Sequence, residues 1–415
     1  MLFRKKPVFI GLHFAKTGGT SVKSHVNSEL GKGETYAVGK HAFANDFFAG
    51  RPLLAELSAR QKSRIRFVFG HGVDTDTLRH FADREIVLFV ICRDPYKRFL
   101  SSLKHRKRLT RKFGDDAGEQ EVFDSQPANP FADNLFKHVG DLAPDSVTDE
   151  RERLIAILKH FRFVMSTDDL DAHTKPYFRA LEIPPMREAK RVYRDKVDPQ
   201  ISPETVYARD DLDTFVNTSV CDYFNAQDNP DALTSLNPFG YDAALLKEKL
   251  RAAAASVSHE EEVENAYLQL FRFLDSSDRL EAAKILIDAN KITAERKRYF
   301  ETFCRKTGRT FDDDSPNSPA LCYMAEVYMR LGQRDTAADC ARRAIEAKPN
   351  NARAHFLLGK LAVARKQYAE AIPSLERAIE INPTHAESLR QLAQANRKLG
   401  RHDEAGDALA RADKI

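Results

Sequence analysis

The sequence predicts an α/β domain with a parallel sheet, followed by an all-α solenoid, and three observations carry that expectation. In the first half, short apolar runs alternate with amphipathic segments, as strands do with helices in a layered sheet. A glycine pair flanked by lysine and hydroxyl residues sits where the first strand gives way to the first helix. The strand pattern stops after about residue 243, and from residue 318 the sequence repeats itself every 34 residues. At 415 residues, 42% apolar and 30% charged, the chain is long and hydrophobic enough for two or three domains with real cores.

The charge balance, 65 basic against 61 acidic residues, leaves +4, which argues against coating of nucleic acid; no nucleic-acid partner is expected. Five cysteines, odd in number and without a C-x-x-C pair, read as thiols of a reducing compartment, with neither a disulfide framework nor a metal site. The apolar run 8–13 is too short for a signal core, and no stretch approaches the roughly 18 apolar residues of a membrane span. The expectation is a cytoplasmic protein, with peripheral membrane association through a partner or lipid-linked substrate left open.

Candidate strands are 7–13, 64–70, 85–92 and 161–166, with amphipathic helices at 20–30 and 95–111. Loop-like stretches rich in Asp, Asn, Pro and Gly occupy 114–129 and 227–241, the second a domain edge. Apolar spacing then predicts helices at 258–275, 278–290 and 293–307, and 312–319 punctuates the chain. The domains expected are 1–242, a helical connector 243–317 that is either independent or made of degenerate repeats, and 318–415.

In the last region Pro349 and Pro383 are one period apart, as are Ala337, Ala371 and Ala405, and Ala344, Ala378 and Ala412. Small residues Ala325, Gly359 and Ala393 keep the same step, and Gly332 and Gly400 bracket Lys366. Small residues where two helices touch, with Pro closing the second helix, resemble the tetratricopeptide repeat over three units. The family's first-column aromatics are replaced by Leu321, His355 and Leu389. Such a stack either docks a protein partner or long substrate, or buttresses the domain before it.

The most informative stretch is Phe9-Ile-Gly-Leu-His13-Phe-Ala-Lys16-Thr17-Gly18-Gly19-Thr20-Ser21-Val22. Glycines let backbone approach a ligand closely, and the first free N–H groups of the helix face it at the positive end of the dipole. Lys16 adds a charge, and Thr17, Thr20 and Ser21 add hydroxyls, which makes an anion cradle. An ATP-binding loop has its Lys after the second glycine, whereas Lys16 precedes the pair, so a nucleotide kinase is disfavoured. A second unit, Val87-Leu-Phe-Val-Ile-Cys-Arg93-Asp-Pro95-Tyr-Lys-Arg98-Phe-Leu-Ser101-Ser102, runs a strand into a helix with Pro in its first turn. Arg93 at the strand end and Ser101 two turns along the helix suit a second phosphate.

Together the two stretches resemble the sulfotransferases that use 3′-phosphoadenosine-5′-phosphosulfate (PAPS). The first is similar to their 5′-phosphosulfate loop, H-x-P-K-T-G-G-T-S, with Ala15 in place of the Pro, and the second to their 3′-phosphate element, R-D-P-x-x-R-x-x-S. The resemblance implies a P-loop-like domain with a central parallel sheet. It makes Lys16 the group that neutralises the leaving phosphate, Thr17, Gly18, Gly19, Thr20 and Ser21 the 5′-phosphate cradle, and Arg93 with Ser101 the 3′-phosphate site. PAPS is the implied sulfuryl donor, with no metal.

Sulfuryl transfer needs a base for the acceptor proton. The strand 64–70 ends in Gly70-His71-Gly72, at the strand end where ligands gather in an open parallel sheet. The flanking glycines are expected to leave room for a bulky acceptor. A G-H-x element here resembles the carbohydrate sulfotransferases, of the heparan or uronyl 2-O type, and implies His71 as the base and a glycan acceptor. His13 is the competing histidine, read as orienting the phosphate loop. Asp133-Asn134 with Lys137 and Gly140 resembles a further segment of those enzymes, and weaker likenesses at 163–170, 201–205 and 222–223 extend the resemblance over about residues 7–225. Eight of the sixteen residues 97–112 are Lys or Arg, and Arg98 and Lys104, with Asn134, are the candidate substrate contacts.

The leading expectation is thus a PAPS-dependent sulfotransferase acting on a sugar hydroxyl. The alternatives are a small alcohol, phenol, lipid or protein tyrosine as acceptor, and a non-catalytic nucleotide-binding scaffold acting through its repeats.

Overall fold

The computed structural model describes every residue except 1–4, 15, 16, 18, 32, 114–117, 187–198, 254–257 and 312–315, with backbone alone for 107–113 and 251–253. Apart from two short stretches, one compact unit is drawn from residues up to Val263 and a second is Glu264–Ile415.

The first unit is built on five strands, β1 Val8–Leu12, β2 Thr35–Val38, β3 Phe67–Gly70, β4 Ile86–Cys92 and β5 Phe161–Ser166, in the order β2-β3-β1-β4-β5. Every pairing is parallel, with Phe9 opposite Phe67 on one side of β1 and opposite Val87 on the other. Its helices are α1 Gly19–Glu29, α2 Lys40–Phe48, α3 Ala59–Arg64, α4 Thr75–Arg79, α5 Pro95–Phe113, α6 Glu119–Asp124, α7 Pro130–Val139, α8 Glu150–Leu158, α9 Leu170–Leu181, α10 Pro203–Arg209, α11 Asp211–Asn225 and α12 Ala243–Ala253.

Strands β1, β3 and β4 are buried along their whole length, as continuous apolar runs must be when helices cover both faces. Alternate residues serve different cores. Val8, Ile10, Val68, Leu88 and Val164 pack with Leu135 of α7, Leu154 of α8 and Val216 of α11. Phe9, Phe67, Phe69, Phe89 and Phe163 pack with Val22 and Val26 of α1 and Tyr177 of α9, an aromatic layer opposite an aliphatic one. Leu246 and Leu250 of α12 join the aliphatic core, so the chain beyond residue 242 still belongs to this unit.

Beyond β5 the chain returns at Leu236, which makes one parallel bridge to Phe163 through Val164 N–H to Leu236 O (2.6 Å) and Leu236 N–H to Arg162 O (3.0 Å).

The expected strand 64–70 starts only at Phe67. Ser58 caps α3 by accepting from Gln61 N–H, and the helix runs to Arg64. Strand β2 and helix α2 have no counterpart in the expected elements, and α6 lies inside the expected loop 114–129. Because β1 connects onward to β2 on one side and β4 to β5 on the other, the strand order reverses between β1 and β4. The C-terminal ends of those two strands border the crevice where parallel sheets bind ligands.

The second unit is helical. Helix α13, His259–Ser276, runs across the division, and α14 Leu280–Asp288 and α15 Ala294–Thr307 follow. Then come three pairs: α16 Ser318–Arg330 with α17 Arg334–Ala347, α18 Ala352–Ala364 with α19 Tyr368–Ile381, and α20 Ala386–Lys398 with α21 His402–Asp413. The small-residue column marks helix crossings: a Cβ on Gly359 would lie 2.6 Å from Leu375 Cγ. The column of Gly332, Lys366 and Gly400 marks the turn inside each pair, where all three have positive φ (78°, 64° and 78°). No helix among the described residues is long and apolar enough to cross a membrane.

Candidate functional site

Strand β1 ends at Leu12 and α1 begins at Gly19, so the glycine-rich stretch joins the two elements at the crevice. Lys16 and Gly18, with Ala15, lie outside the described residues. Thr17 is 2% exposed, and its hydroxyl donates to Phe14 O at 3.0 Å. That hydroxyl therefore ties the loop together and does not face a ligand. Thr20 is exposed and Ser21 half-buried in the first turn of α1, which carries no acidic residue that would compete for its N–H groups. Gly19 is obligatory: a Cβ there would sit 2.4 Å from His13 Cδ2 and 2.7 Å from Phe69 Cζ.

His13 follows β1 and His71 follows β3, and parallel pairing of the two strands sets the imidazoles side by side. They stack at 4.1 Å between centroids and 26° between planes. The other face of His13 stacks on Phe69 at 4.9 Å, and Phe69 on Phe67 at 5.6 Å, so a column of rings rises from the aromatic core to His71 at the surface. Burial, with His71 and Lys23 nearby, drives the His13 pKa down to about 3. His71 is also held below the usual imidazole range, first by partial burial; a hydrogen bond to the His13 backbone opposes this, while Lys23 and His41 add to it. Both rings are neutral at pH 7, and a neutral exposed imidazole is what a proton acceptor has to be.

The glycines beside His71 do not leave room for an acceptor, contrary to the sequence reading. A Cβ on Gly70 would lie 1.6 Å from Val38 O, and one on Gly72 2.8 Å from Gly39 Cα. Strand β2 and the turn after it take up that space. The glycines admit the edge strand, and His71 is presented on a rim made by the chain itself.

On the other side of β1, Arg93 leaves the end of β4 half-buried. Burial lowers its pKa, opposed by Asp168 and Asp94. Register places the two near each other: Cys92 is opposite Ser166, so Arg93 and Asp168 both follow the paired ends of β4 and β5. Asp168 is fixed by Lys97 Nζ at 2.8 Å and Asn217 Nδ2 at 3.0 Å. Lys97, Ser101 and Lys104 are spaced i, i+4, i+7 and share one face of α5, a polar stripe that begins beside Arg93. The side chains of Lys107, Arg108, Arg111 and Lys112 lie outside the described residues.

Arg98 is not on that stripe. Its side chain is 7% exposed and lies 2.6 Å from Asp210 Oδ2 and 3.6 Å from Asp213 Oδ2. Asp213 also accepts from Phe131 and Ala132 N–H at the start of α7 (both 3.0 Å). Arg98 therefore ties α5 to α11 in the interior, and the expectation that it meets substrate is corrected: one residue of helical rotation hands that position to Lys97. Asn134 donates to Pro130 O within α7 and is half-buried, four residues before His138 on the same face. His138 is close enough to His71 to feel its charge. Lys97 and His138 are not among the candidate residues of the sequence; the i, i+4 spacing of Lys97 and Ser101 within α5 is the signal for the first.

Two tetratricopeptide repeat models match, over residues 324–386 and 362–415. Human tetratricopeptide repeat protein 7B is 31% identical over 93 residues, which are 22% of this chain and 11% of that protein. Small glutamine-rich tetratricopeptide repeat-containing protein 2 of Mycosarcoma maydis is 28% identical over 86 residues, 20% of this chain and 24% of that protein. The chain thus spans only 11% and 24% of the length of these relatives. Among solved structures, MamA is 17% identical, covering 40% of this chain and 92% of that one at a TM-score of 0.28. YrrB, described as a tetratricopeptide protein with an unusual peptide-binding site, is 19% identical, covering 39% and 81% at a TM-score of 0.26. Residues 324–415 are tetratricopeptide repeats.

Proposed function

We propose that the α/β unit is a PAPS-dependent sulfotransferase acting on a sugar hydroxyl, and that the repeats dock a protein partner. One observation carries the catalytic reading: the strand order brings the loop 13–21, His71 and the Arg93–Lys97–Ser101 stripe to the same C-terminal edge of the sheet. The first turn of α1 and Lys16 would hold the 5′-phosphosulfate end of the donor, and Arg93 and Ser101 its 3′-phosphate. In the transfer, the acceptor oxygen bonds to sulfur as the sulfur–oxygen bond to the 5′-phosphate breaks. The acceptor proton passes to His71, and the cradle takes up the charge left on the bisphosphate. Positioning and preorganised charge supply the acceleration.

The test is a thermal-shift titration with adenosine 3′,5′-bisphosphate and with ATP–magnesium, in the wild type and in Arg93→Ala. Saturation a hundredfold above the dissociation constant adds about 2.7 kcal/mol to the native state. The expected result is stabilisation by the bisphosphate alone, lost in Arg93→Ala, and, in an assay with PAPS and glycan acceptors, transfer by the wild type that is lost in His71→Ala.

A second reading, favoured by the repeat matches, is a scaffold that works through residues 324–415 without catalysis. Absence of any shift with the bisphosphate would select it.

A further inference from the structure

We propose that His13 is a positioning residue: wedged between Gly19 and His71, its ring fixes the base relative to the donor cradle. The proposal rests on the sulfotransferase reading and concerns a residue that touches neither donor nor acceptor in it.

The geometry has two independent parts. His13 occupies the space a Cβ on Gly19 would need, so it lies directly against the first residue of α1. Its opposite neighbours are rings, Phe69 at 4.9 Å and His71 at 4.1 Å, both within 26° of parallel. His13 is also pinned along the backbone, its N–H donating to Gly70 O at 3.1 Å. These contacts give a path by which a shift of the α1 N-terminus on binding an anion would reach His13, and through its ring the face on which His71 rests.

The chemistry suits the position. As His71 takes a proton it becomes an imidazolium, and an uncharged aromatic face beside it is favourable where a second imidazolium would repel. Burial, with His71 and Lys23 nearby, drives the His13 pKa down to about 3, so its ring is uncharged at neutral pH. Other groups also act on His71: Lys23 from α1, His41 from α2 and His138 from α7. Lys40, Lys137 and Asp74 act in turn on His138. All of these remain in a His13 variant, so a change in His71 on altering His13 reports the ring itself.

The experiment uses the full chain as wild type, His13→Ala and His13→Phe, with adenosine 3′,5′-bisphosphate as the probe. The His71 titration midpoint is read by NMR, and bisphosphate affinity by calorimetry. In His13→Ala the midpoint should rise toward the ordinary value as solvent reaches the bared face. His13→Phe, which restores a ring, should bring it back down. In the wild type, bound bisphosphate should move the ring resonances of both His13 and His71.

An unchanged midpoint in His13→Ala, or His13→Phe behaving like His13→Ala, would overturn the proposal. Should His13→Ala not fold, wild-type resonances of His13 and His71 that stay put on saturation would overturn it as well. Failure of the bisphosphate to bind at all is a different result and strikes the sulfotransferase reading instead.

Discussion

Arg93 and Arg98 stand five residues apart in one motif, and their fates differ because Arg93 follows strand β4 whereas Arg98 lies in the first turn of α5. Arg93 ends a strand at the crevice, while Arg98 points from α5 into a pocket of carboxylates. Burial lowers the Arg98 pKa and, against the pull of Arg98, lifts that of Asp213 to about 6. Removing the cation leaves the buried Asp213 with its two backbone N–H donors but without Arg98, while Asp210 keeps Arg209 at 2.8 Å, so Arg98→Ala should cost about 3 kcal/mol of stability in denaturant unfolding. Arg93→Ala should cost little stability and lose the bisphosphate shift. The residue types of the candidate site could be read in the sequence, and His13, His71 and Arg93 follow β1, β3 and β4 at the same edge of the sheet. Direction could not be read: Thr17 hydroxyl turns inward to Phe14 O, and the glycines around His71 are filled by Val38 and Gly39. The contacts at Gly70 and Gly72 join residues more than thirty positions apart, beyond the reach of local spacing.

Among elements, the buried strands were the legible ones. β1, β4 and β5 are apolar runs bounded by turns, and their limits match expectation to within about two residues. β2 was not legible, because Thr35–Val38 is four residues long and mostly half-buried. The repeats were legible for another reason: each column has one physical cause repeated three times. Helix crossing keeps Ala325, Gly359 and Ala393 small, and the left-handed turn explains Gly332 and Gly400. Lys366 holds the same conformation with a side chain, at φ 64°. Left-handed backbone costs an L-residue roughly 1–2 kcal/mol, part of which glycine gives back through its freer unfolded chain. Lys366→Gly should therefore stabilise the repeats by about 0.5 kcal/mol, seen as a small rise in their thermal midpoint.

For the whole molecule, the histidines with depressed pKa values gather in the α/β unit: His13 and His80 at about 3, with His71, His138, His160 and His173 lowered as well. Folded values below the unfolded value of 6.5 mean that the unfolded chain binds more protons. The stability these groups contribute is complete above pH 6.5 and drains away as pH falls toward 3. Asp213, raised to about 6, acts in the opposite sense between pH 6 and 3.8, one group against several. Calorimetry of the full chain at about pH 7.5 and about pH 5 should show the α/β transition moving down, with the repeats shifting less.

The two rims of the sheet bear on how the chain behaves when crowded. β2 offers four residues between Gly33 (φ 88°) and Gly39 (φ 136°), too short a ladder to template a foreign strand. The opposite rim, along β5, is occupied by the returning chain at Leu236. A sheet whose interior strands are this apolar would be a hazard for fibre-like growth if either rim lay open. Ending it in a stub on one side and a self-supplied cover on the other keeps that growth from starting.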